Sequence, residues 1–77
     1  MAQIRETIHH GSTRIQNTID IGMEAVNREH VRRILSESAY NSHRANDDSV
    51  ISKILAGLMM SGKAEHGWAR YTIHNEV

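Results

Sequence analysis

Ile4 and Ile8 stand four residues apart with Arg5 and Glu6 between them, a spacing that predicts about two helical turns over residues 2–10, too short to be stable alone. Gly11 and Ser12 break the pattern. Thr13-Arg14-Ile15-Gln16 has the form of a capping box. Ile15, Ile19, Met23 and Val26 follow at helical spacing, so a helix is predicted from about 14 to 25. Gly22 weakens that helix by up to ~1 kcal/mol relative to Ala, and Ile19-Asp20-Ile21 is open to a second reading as a short strand.

Asn27 is a good N-cap for the next segment, with Val26 and Val31 placed as a hydrophobic staple. Val31, Ile34 and Leu35 form its apolar stripe, Arg28, Glu29, Arg32, Arg33 and Glu37 its wet side, and it should end near Ser38 to Tyr40. The polar run from Asn41 to Asp48 is a connecting loop, in which Asn46, Asp47 or Asp48 can cap the next helix. That third helix, about 48–60, has the strongest pattern: Val50, Ile51, Ile54, Leu55, Leu58 and Met59 on one face, with Ser49, Ser52, Lys53, Ala56 and Gly57 opposite. Gly62 is placed to stop it in a left-handed turn. Beyond it the period becomes two, with Trp68, Arg70, Thr72 and His74 on one side and Ala69, Tyr71 and Ile73 on the other. Lys63-Ala64-Glu65 can pair with this strand across a turn at His66-Gly67. The expected fold is mainly α with a small β-hairpin: one domain over residues 1–77, three helices, and residues 1–12 as an extra helical turn or flexible arm.

Composition narrows the function. A chain of 77 residues with no Cys has no disulfide, thiolate nucleophile or cysteine-based zinc site, and its stability margin is thin. It carries neither a signal-peptide pattern nor an apolar run of the ~18 residues that span a bilayer, so the expectation is a soluble cytoplasmic protein with no membrane partner. Nine Lys+Arg balance nine Asp+Glu, which argues against a partner held by bulk charge. The basic bias is local: between Asn27 and Asn46, Arg28, Arg32, Arg33 and Arg44 face only Glu29 and Glu37.

The run Val50-x-x-x-Ile54-Leu55-x-x-Leu58-x-x-x-Gly62-Lys63-Ala64-Glu65, closed by Trp68-x-x-Tyr71-x-Ile73, resembles the recognition helix and wing of bacterial winged helix-turn-helix regulators. The resemblance implies a three-helix core with a C-terminal wing and places the helix near 48–60 in a DNA major groove. Asn46, Ser49, Ser52, Lys53 and Ala56 would then meet base edges. Arg28, Arg32, Arg33, Arg44, Lys63, His66 and Arg70 would meet the phosphate backbone. A bland reading stands beside it, in which these residues are the solvated faces of amphipathic helices with ordinary i,i+4 pairs.

Other chemistry is thin. The six histidines show no H-x-x-x-H or H-E-x-x-H spacing, so no metal is expected. Their number would make the neutral chain cationic as pH falls from 7 towards 5. No nucleophile elbow or phosphate-binding glycine loop occurs, and the expectation is no enzyme and no cofactor. Tyr71 reads as core, and Trp68 as packing under the wing or a partner contact. The leading expectation is a small transcriptional regulator binding double-stranded DNA; the alternative is a winged-helix-like protein–protein interaction module. A thin core makes a homodimer compatible with either.

Overall fold

The computed structural model describes residues 1–75; residues 76–77 of the single-domain reading lie outside the described residues. The chain begins with two strands, β1 (Ala2–His10) and β2 (Thr13–Gly22). Two helices come next, α1 (Arg28–Ser36) and α2 (Asp48–Ser61), with a 3-10 turn at Ser42–Arg44 between them, and then strands β3 (Lys63–His66) and β4 (Ala69–Asn75). The strands form one antiparallel sheet in the order β2-β1-β4-β3. Both hairpins therefore lie side by side, with β1 and β4 central. The helices cover one face, α1 against β1 and β2, α2 against β3 and β4. Strand makes up 40% and helix 35% of the described chain, which overturns the expectation of a mainly α, three-helix winged fold.

The difference lies in the first 25 residues, where a predicted helical turn and a predicted helix are both strands. Ile4 and Ile8 satisfy a period of two as well as one of 3.6, and the residue that would decide between them, Glu6, is polar yet fully buried. On β2 the half-buried Asn17 interrupts Ile15, Ile19 and Ile21 in the same way. The two interruptions are partners, since Glu6 stands opposite Asn17 in the sheet, flanked by Ile4↔Ile19 and Ile8↔Ile15. The expected capping box does not form. Thr13 pairs with His10, and Gln16 donates from Nε2 to Thr7 Oγ1 at 3.2 Å. Gly11, with φ of 63°, opens the two-residue loop that turns β1 into β2. The segment expected to be an extra turn or arm thus supplies a central strand.

The other elements keep to the pattern more closely. Asn27 Oδ1 accepts from the His30 N–H at 3.2 Å and His30 Nδ1 accepts from the Asn27 N–H at 3.2 Å, a reciprocal cap at the start of α1. Asp47 caps α2, accepting from Ser49 N–H at 3.1 Å and Val50 N–H at 3.4 Å, and Gly62 ends it at φ of 74°. Val31, Ile34 and Leu35 of α1 and Val50, Ile51, Ile54 and Leu58 of α2 are buried against the sheet. Two details of α2 differ from expectation. Met59 is 68% exposed, whereas Gly57 lies against β3 so closely that a Cβ there would sit 2.8 Å from the Lys63 carbonyl oxygen and the Ala64 Cβ.

Within the apolar layer runs one polar chain. Asn17 Nδ2 donates to Glu6 Oε1 at 3.0 Å, Tyr71 Oη donates to Glu6 Oε2 at 2.6 Å, and Asn41 Nδ2 donates to Tyr71 Oη at 3.3 Å. It ties β2, β1, β4 and the loop between the helices together.

Candidate functional site

Because the helices occupy one face, the alternate positions of each strand form an open face on the other side of the sheet. The register sets them in rows: Thr18, Arg5, Thr72 and Lys63 in one, Gln16, Thr7, Arg70 and Glu65 in the next. Asp20, Gln3 and His74 lie on one side of these rows, and Arg14 and His9 on the other. One solvated face is ordinary for an antiparallel sheet, so its charge is the informative property. Among the described residues it carries four cations, Arg5, Arg14, Lys63 and Arg70, and two acids, Asp20 and Glu65. Arg70 Nη2 pairs with Glu65 Oε1 at 3.3 Å. Among the described residues, no carboxylate forms an ion pair with Arg5, Arg14 or Lys63. A shallow groove of about 410 Å³ opens where Thr7, His9, Arg14 and Arg70 meet the β3–β4 turn.

The helix side is balanced instead. Arg28, Arg32, Arg33, Arg44 and Lys53 are matched by Glu24, Glu29, Glu37, Asp47 and Asp48, five of each sign. Arg28 is engaged, donating from Nη1 to Ser52 Oγ and from Nη2 to Asp48 Oδ1, each at 2.8 Å. Arg32 pairs with Glu29.

The residues expected at a DNA interface fall on two separate surfaces. Ser49, Ser52, Lys53 and Ala56 do line the exposed side of α2, with Asn46 in the turn ahead of it. Ser49 Oγ, however, donates to Asp47 Oδ1 at 2.7 Å and Ser52 is held by Arg28. Arg33 is exposed on α1 and Arg44 half-buried in the 3-10 turn. Lys63 and Arg70 stand on the open face, across the sheet from α2, so they share no surface with the expected base-reading residues. Arg5, Arg14 and Thr18, which stand on the same open face, are not singled out by the sequence, because residues 2–25 carry a helical spacing there.

His66 points to the helix side, toward a cavity of about 280 Å³ that Tyr40, His43, Arg44 and Trp68 also line. Among the described residues its buried Nδ1 has no hydrogen-bond partner. Burial first, then the charges of Arg44 and Lys53, lower its pKa below the usual histidine value. Trp68, 60% exposed, stacks on His10 with ring centroids 4.2 Å apart. Among the described residues no group of three His, Asp or Glu side chains is arranged to hold a metal ion, and no helix is long and apolar enough to cross a membrane. No known protein family, curated protein or solved structure gives a significant match to this chain.

Proposed function

We propose that this chain binds nucleic acid through the open face of its sheet, with duplex DNA as the partner, and serves as a small cytoplasmic regulator. One observation carries the reading: among the described residues, apart from the buried Glu6, five cations stand with five acids on the helix side and four cations with two acids on the open sheet. Such a footprint is small and salt-sensitive, with Arg5 and Lys63 as phosphate ligands and Gln16, Thr18 and Thr72 as neutral hydrogen-bonding groups around them. Duplex is favoured over single strands because, among the described residues, no Phe, Tyr or Trp side chain stands on the strands of this face to stack bases, Trp68 being in the β3–β4 turn.

The test is fluorescence anisotropy with labelled duplex DNA at several salt concentrations. Arg5→Ala and Lys63→Ala should each weaken binding and reduce the salt slope by about 1, and Lys53→Ala on α2 should leave it unchanged. Loss of binding in Lys53→Ala with none in Arg5→Ala would return the interface to the helix. A second reading, a protein-interaction module, rests on the exposed Met59 and Met60 at the end of α2, 68% and 87% accessible. Complete silence toward DNA at low salt favours it.

A further inference from the structure

The long strand β2 forms one edge of the sheet. The His9 N–H bonds the Trp68 carbonyl in the β3–β4 turn at 3.3 Å, so odd residues of β1 direct their main-chain groups toward the second hairpin and even residues toward β2. Since Ile8 faces Ile15 and Glu6 faces Asn17, odd residues of β2 complete that ladder. The main-chain groups of Arg14, Gln16, Thr18 and Asp20 point away from the sheet. A long unpaired edge of this kind is a template for another strand. The opposite edge is short, and α2 packs against it.

The sequence of this edge is complementary to itself. An antiparallel copy centred on Asn17 sets Arg14 opposite Asp20 of the second chain and Asp20 opposite its Arg14, with Gln16 opposite Thr18 and Ile15 opposite Ile19. The pairs 14 with 20 and 16 with 18 join residues whose free main-chain groups face each other, giving about eight new hydrogen bonds. Shifting the register by two residues in either direction abolishes both charge pairs. The irregularity of the β1–β2 ladder between Ala2 and Gln3, opposite the stretch from Asp20 to Gly22, confines regular pairing to about this segment.

We infer that two copies of this chain join through β2, with the two-fold axis at Asn17, into one continuous eight-stranded sheet. Pairing covers the half-exposed Ile15 with Ile19 of the second copy and places a cation opposite Asp20, the open-face acid that forms no ion pair among the described residues. Arg5 and Lys63 of both copies are left as the unopposed charges of a doubled face. The pairing rests on edge geometry and register, and it holds or fails independently of DNA binding.

Analytical ultracentrifugation of the full chain should give twice the 8.7 kDa protomer mass. Arg14→Asp places like charges opposite one another in the homodimer, and so does Asp20→Arg, so each should weaken self-association about tenfold or more. Mixed in equal amounts, the two variants should recover a dimer, because the mixed pair restores an opposite charge at every contact. Thr18→Pro removes an outward N–H without touching the β1 ladder and should give a monomer with an unchanged circular dichroism spectrum. A wild-type chain that stays monomeric at high micromolar concentration overturns the inference. So do single variants that dimerise as well as wild type, or a mixture that fails to pair while Thr18→Pro remains folded.

Discussion

Tyr71 and Glu6, 65 residues apart in the chain, meet through a 2.6 Å hydrogen bond from the phenol to the carboxylate, inside the layer that joins sheet and helices. Both side chains are fully buried, and Asn17 supplies the second bond to Glu6. Tyr71→Phe removes one of those donors and leaves a buried carboxylate underbonded, which should cost about 1.5–3 kcal/mol. Urea denaturation checks it. A loss within error of zero would mean that the bond contributes nothing net.

The same contact governs alkaline behaviour. Burial first, then the bond to Glu6 and its charge, raise the ionisation of Tyr71 well above the ordinary 10.0, with Asn41 opposing. A raised folded pKa contributes stability that is complete below the unfolded value and declines as pH climbs past it. Wild type should therefore lose stability above pH 10.0 more steeply than Tyr71→Phe, a difference that denaturation midpoints at a series of pH values will show.

The contact also explains how much of the fold is legible in the sequence. Helices α1 and α2 are legible because Asn27, Asp47 and Gly62 mark their ends and the apolar residues between keep a single period. The C-terminal hairpin is legible because Ala69, Tyr71 and Ile73 alternate with polar residues. The first hairpin is not, because Glu6 and Asn17 occupy inward positions and erase the alternation by which a strand is recognised. A buried Glu has no local signature; only its partners, one of them 65 residues away, make its burial tolerable. The candidate site is hidden for the same reason, since half of the open face belongs to those two strands.

Gly57 sits inside a helix, where Ala would ordinarily gain up to about 1 kcal/mol. Here the missing Cβ lets α2 approach β3, and backbone as well as side chain stands at 2.8 Å from where it would be. Overpacking of this kind costs about 1–3 kcal/mol, so Gly57→Ala should lower the denaturation midpoint. A raised midpoint would show that helix propensity outweighs the contact.

His66 should make the fold acid-sensitive. Its pKa is lowered by burial, then by Arg44 and Lys53, with Asp47 opposing. A depressed histidine contributes stability present above its unfolded value of 6.5 and lost as pH falls through the lower folded value. His66→Gln should lose less stability than wild type between pH 7 and pH 5; parallel declines in the two proteins would remove His66 as the cause.

The central claim, that the open face of the sheet is the nucleic-acid surface, is tested most directly by amide NMR during titration with mixed-sequence duplex DNA at low salt. Shifts should centre on residues 3–9, 14–20, 63–65 and 70–74 and fade as salt is added, with residues 49–56 of α2 unmoved. Shifts centred on residues 46–56, with the strands silent, would contradict it.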